Sequence, residues 1–156
     1  MDDSGKGDPM SSVASVHDVA AYIITKLGSV TTMKLQKLLY YTQGWSLAWD
    51  EEPLFDEEIQ AWANGPVVYE VFKHHRGEFK VNSWPHGNSD RLTPDQRETV
   101  DAVIDAYGKL TGQQLSEKTH GERPWLEARG DTPLGAYCNE PLSLDVMQEY
   151  FGSLIQ

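Results

Sequence analysis

The chain has 156 residues, with 13 Lys and Arg against 24 Asp and Glu, a formal charge of −11 and a pI near 4.7. This is the length of one ordinary domain, and 39% hydrophobic residues suffice for a core, which excludes a wholly disordered chain. The charge is spread over both halves and excludes a surface that lays Lys and Arg along phosphates, as binders of nucleic acid and anionic membranes do.

Residues 1–14 carry Gly, Ser, Asp and Pro without periodicity and are expected to form a disordered tail, with the domain spanning 15–156. Ser15 and Asp18 form a capping box that opens a first helix, whose apolar residues Val16, Val19, Ala20, Ile23, Ile24 and Leu27 recur at helical spacing up to Gly28. Thr31 or Thr32 caps a second helix. Leu35, Leu38, Leu39, Thr42, Trp45 and Trp49 mark one face, and with Tyr41 and Ala48 widening it the apolar arc is broad enough for a central element touched by several others. Gly44 inside it calls for either a close helix crossing or a break. Asp50–Glu58 is an acidic loop without a base, set around Pro53, Leu54 and Phe55.

Residues 58–62 alternate as a short strand, and 79–83 offer a second strand to pair with it. Asn64-Gly65-Pro66 is expected to turn into a third helix with Pro66 at its first position, carrying Val68, Val71, Phe72 and His75 as a stripe. After a loop at 83–92, Thr93 and Gln96 form another capping box for a fourth helix. Thr111 starts a fifth that ends near His120-Gly121, Pro124–Ala128 adds one turn, and Ser143 caps the last helix, with Met147, Tyr150, Phe151 and Leu154 on its apolar face. The expected fold is mainly α: one compact domain of about six helices with room for one short two-stranded hairpin.

No phosphate-binding glycine loop, nucleophile elbow or zincin motif occurs, so no catalytic residue is expected and the chain is not expected to be an enzyme. His74 and His75 are adjacent and diverge by about 100° on a helix, which argues against a shared metal. The acidic loop lacks the alternation of a calcium loop, so no metal or cofactor is expected. The single cysteine, Cys138, forms no intrachain disulfide and fits a reducing cytoplasm. No apolar run reaches a membrane span, and the polar, acidic N-terminus is unlike a signal peptide. The first two helices outline a helix-turn-helix with Lys34 and Lys37 near the start of the second. That helix is too apolar around its circumference to leave a face for base edges, so direct DNA binding is not expected. The Trp and Tyr content exceeds what a plain core needs; Trp62, Trp84 and Trp125 beside Gly or Pro turns either wedge between helix ends or serve an interface.

Three blocks carry a resemblance. K-L-Q-K-L-L-Y-Y within 33–45, A-W-x-x-G-P-V within 53–68 and T-H-x-x-x-P-W within 115–125 are together similar to the Panacea domain, also called SocA-like or GepA-like, over about residues 15–155. The resemblance implies an antitoxin of a bacterial or phage two-gene system. Such a protein binds and neutralises a toxin directly, and the toxins implied stop translation, small alarmone synthetases among them. It also implies two alternatives: an adaptor that delivers the toxin to a protease, or a toxin-dependent autoregulator of transcription. An acidic antitoxin suits a toxin with a basic surface, and a homo-oligomer or a hetero-oligomer with the toxin stays open. The block residues expected at the partner surface are Lys34, Lys37, Tyr41, Trp62, Tyr69, His120 and Trp125; for each of them, packing or capping is the competing role.

Overall fold

A computed structural model describes residues 14–155. The expected tail, apart from Ala14, lies outside the described residues. Ala14 itself belongs to the fold, its N–H donating to the Leu54 carbonyl at 2.8 Å.

The first two helices form where their caps predict. Ser15 accepts from the His17 N–H and Asp18 closes the box, so α1 runs Val16–Leu27 and stops at Gly28, whose φ is +80°. Residues Val30–Thr31 form a two-residue strand, β1. The Thr31 hydroxyl then accepts from the Lys34 N–H to start α2, Thr32–Asp50. Helix α2 is the shaft of the molecule: α1, the later helices at 94–107, 112–119 and 144–153, and a hairpin strand all pack on it, as its broad apolar arc requires.

The helix stays continuous through Gly44 because α7 (Leu144–Ser153) crosses there. A Cβ at Gly44 would fall inside the Phe151 ring, so of the two expectations the close crossing holds. The acidic loop is tied down from below: Gln43 accepts the Leu54 N–H at 2.8 Å and donates to the Phe55 carbonyl at 2.8 Å, with Leu54 and Phe55 buried.

The strand pairing differs from expectation. Ile59–Trp62 (β2) pairs with Gly65–Val68 (β3) in a tight antiparallel hairpin, Trp62 opposite Gly65 and Ile59 opposite Val68. Lys80–Val81 (β4) pairs instead with β1. Pro66 therefore sits in a strand, and the third helix, α3, begins three residues later as Tyr69–His75. Proline is tolerated there for a geometric reason. The opposite residue, Ala61, sends its N–H outward to the Glu140 carbonyl at 2.9 Å and receives Arg129 on its carbonyl, so the 61–66 pair exchanges no ladder bond and needs no donor from Pro66.

A 3-10 turn at Ser89–Arg91 precedes α4, Pro94–Tyr107, opened by the Thr93–Gln96 capping box. Helix α5 is Gly112–Thr119 and α6 is Arg123–Arg129, a full element where the sequence suggests one turn. The described residues thus hold seven α-helices and two small two-stranded sheets, a mainly α fold. No described helix is long and apolar enough to cross a membrane.

Candidate functional site

The three sequence blocks meet around the N-terminal half of α2, and buried polar contacts join them in pairs. Gln36 of the first block acts like a piece of strand: its carbonyl accepts the Val68 N–H at 2.8 Å and its amide donates to the Val68 carbonyl at 3.2 Å. Tyr40 and Tyr41 both donate to the buried Glu122 carboxylate of the third block, each at 2.9 Å. Burial raises the Glu122 pKa while the two hydroxyls oppose that rise; the same burial, with the nearby carboxylate, holds both phenols protonated. Trp125 donates to the Trp62 carbonyl at 2.8 Å, which joins the third block to the second. The blocks are spaced as they are because each supplies the other's missing hydrogen-bond partner.

Above these contacts lies a cavity of about 390 Å³ lined by Met33, Gln36, Lys37, Trp62, Val67, Phe72, His75, Tyr137 and Cys138, with Thr32, Ala63 and Asn64. Its walls are mostly apolar and carry one basic aliphatic side chain, that of Lys37. Lys37 is 2% exposed, and burial alone pushes its pKa down to about 7. The hairpin passes close over its stem: a Cβ at Gly65 would stand 2.7 Å from Lys37 Cε and 2.9 Å from Thr119 Oγ1, and Gly65 has φ +115°. Glycine is required there on both counts.

Two histidines feel the Lys37 charge. His75 is buried and accepts the Gln36 amide on Nε2 at 3.0 Å; burial, with Lys37 adding to it, lowers its pKa. His120 stacks on Trp125 at 4.3 Å, its Nε2 is buried without a partner, and burial and then Lys37 lower its pKa as well. An exposed aromatic rim adjoins the cavity. Trp62 meets Phe72 edge-on at 4.8 Å, Tyr69 lies 6.4 Å from Trp62 and is 41% exposed, and Tyr137 is 80% exposed.

The seven expected partner residues therefore separate. Lys37 and Trp62 line the cavity, His120 lies beside Lys37, and Tyr69 stands on the rim. Tyr41 and Trp125 are in the core, and Lys34 donates to the Gly108 carbonyl at 2.5 Å, closing the C-terminal end of α4. Sequence reasoning missed Met33, Gln36, Tyr137 and Cys138 as wall residues, and took Phe72 and His75 only as a helix stripe. Tyr137 and Cys138 come from the irregular 131–142 segment, which carries no periodicity; its one usable sign was an aromatic residue placed among turn formers.

A second cluster lies where α1, α3 and the 83–92 loop meet. His17, Glu70 and His74 hold their possible ligand atoms within 4.8 Å of one another. Trp84 donates to His17 Nδ1 at 3.1 Å, so the proton of the neutral ring sits on Nε2 and is given to Glu70 at 2.9 Å. Neither nitrogen then presents a free lone pair, and the cluster is built as a hydrogen-bonded clamp between elements.

The family model described as antitoxin SocA-like, Panacea domain, matches residues 35–126, the stretch that holds all three blocks from Leu35 to Trp125. The match covers more than half of the chain, and the chain belongs to this family. Its general role is that of an antitoxin, and its partner is a toxin. Helices α1 and α7 lie outside the matched residues although both pack on α2. Comparisons with curated proteins and with solved structures gave no match.

Proposed function

We propose that the protein neutralises its toxin by direct binding rather than by chemistry, and that the toxin docks on the cavity face, with Trp62, Tyr69, Phe72 and Tyr137 as its contacts. The observation that carries this reading is the exposed aromatic rim around a cavity whose floor is built from the family blocks. Tyr and Trp at a concave site are the residues that dominate binding energy when water is excluded around them. The block residues below are occupied in holding the fold together, which leaves the rim to do the recognising. The toxin class that fits is a translation inhibitor with a basic surface, small alarmone synthetases included. The helix-turn-helix outline gains no support, since Lys34 is committed to the end of α4 and Lys37 is buried.

The test is co-expression with the product of the adjacent open reading frame. Tyr69→Ser combined with Tyr137→Ser alters two exposed side chains and leaves the core intact. We expect a folded protein that binds the toxin 10- to 100-fold more weakly and no longer rescues growth, with the toxin's half-life unchanged by either version. Full rescue by the double variant removes the docking face; a shortened toxin half-life turns the reading toward delivery to a protease.

A further inference from the structure

Among the described residues Lys37 has no counter-ion. No hydrogen bond or ion pair holds its ammonium among the described residues, and the titratable groups that feel it are His75 and His120, both of which it makes harder to protonate. A cation withdrawn from water in this way is costly unless something supplies the missing anion. The cavity limits what that anion is. Lys37 is the only cationic donor among the wall residues. The Gln36 amide is fully engaged by Val68 and His75, and the Trp62 N–H is engaged by Gln60. The other wall donors, the Asn64 amide and the Tyr137 hydroxyl, are on exposed side chains, so one buried ammonium suits a single carboxylate, whereas a phosphate group asks for more buried donors than the walls offer. The remaining surface (Met33, Val67, Phe72 and the Trp62 face) suits an apolar side chain, and about 390 Å³ holds one with its backbone.

A carboxylate and an apolar side chain borne on the same carbon are what a polypeptide presents at its last residue. We propose that the cavity receives the C-terminal apolar residue of the partner protein, its α-carboxylate paired with the Lys37 ammonium and its side chain packed between Met33, Val67 and Phe72. This rests on the reading of the same face as the toxin-binding surface. Gly65 belongs to the device, since a side chain there would displace Lys37 from beneath the hairpin.

The experiment has two arms. In the first, the full chain is titrated with N-acetyl-Gly-Leu and N-acetyl-Gly-Phe, each as free acid and as C-terminal amide, following the backbone amide resonances of Ala63, Asn64 and Cys138. The acids should bind at least tenfold more tightly than the amides. Lys37→Met should abolish that preference and raise the melting temperature, because it removes an uncompensated buried charge while keeping the stem. Equal binding of acid and amide, binding of neither, or a preserved preference in Lys37→Met overturns the inference.

In the second arm, the neighbouring toxin is shortened by its last residue, and neutralisation should weaken at least tenfold. Undiminished neutralisation of the shortened toxin, even with the acids bound in the first arm, overturns the toxin terminus as occupant. If no acid binds while the Tyr69/Tyr137 double variant still abolishes rescue, the docking face stands and the carboxylate inference alone falls.

Discussion

Single residues in this protein are constrained mostly by what presses on them from neighbouring elements. Gly44 shows this best, because helix propensity and packing pull in opposite directions. Alanine there would gain about 1 kcal/mol as a helix former. Its methyl group would enter the Phe151 ring, and overpacking of this kind costs about 1–3 kcal/mol or more. Gly44→Ala should therefore lower the melting temperature by several degrees in a thermal scan. Gly152→Ala, on α7 with open space around the added carbon, should leave it unchanged or raise it. The sequence made Gly44 visible as an anomaly but offered two explanations, since a glycine that breaks a helix and one that admits another helix look the same without the partner. Lys37 was legible only as one of several block positions. Nothing local says that a lysine between Gln and Leu will lose its solvent; that follows from a hairpin folding over it from 30 residues away.

Elements were legible where side chains cap them and obscure where pairing is non-local. The capping boxes at Ser15 and Thr93 and the cap at Ser143 marked helix starts correctly, because the bonds they make lie within three residues. The hairpin was misassigned because Gly-Pro normally opens a helix, and only the outward bonds of Ala61 make the proline acceptable in a strand. The clamp between α1 and α3 also joins residues far apart in sequence, and its consequence is a pH dependence. Hydrogen bonds from His17 and then Lys73 lower the Glu70 pKa from 4.5 to about 2. A carboxyl depressed on folding contributes stability that is complete above about 4.5 and is lost as the pH falls toward 2. The group is partly solvated, so the contribution is of the order of an exposed pair, ~0.2–1 kcal/mol. Melting temperatures of wild type and Glu70→Gln should differ at pH 6 and converge near pH 2; a constant gap would mean that Glu70 acts through packing alone.

Over the whole molecule, the densest acidic stretch and the cation in the cavity stand at different ends of α2. The acidic loop begins where α2 ends, whereas Lys37 is in the second turn of the same helix, about 20 Å away at 1.5 Å per residue. None of the acids at 50–58 lines the cavity, although Glu58, at the far end of the loop, is joined through Gln60 to the wall residue Trp62. As solvent-facing charges outside the cavity they act on a basic partner through the solvent, which makes their effect sensitive to screening. Raising ionic strength from about 20 mM to 300 mM should slow association with a basic toxin at least tenfold while changing the dissociation rate little. A salt-independent association rate would reduce the charge to a solubility device.

The joining of the three blocks to one another also bears on how this scaffold can change. Beneath the cavity Tyr40 and Tyr41 satisfy Glu122, Gln36 satisfies the Val68 backbone and Trp125 the Trp62 carbonyl, so altering any of these side chains strands a buried polar group. Tyr69 and Tyr137 satisfy nothing that the fold depends on, and exposed positions of that kind usually tolerate replacement within about 0.5 kcal/mol. On the docking face proposed above, inheritance of the fold and choice of partner are written in separate sets of residues. A lineage can rewrite the second set while keeping the first, and acquire a new opponent without passing through an unfolded ancestor.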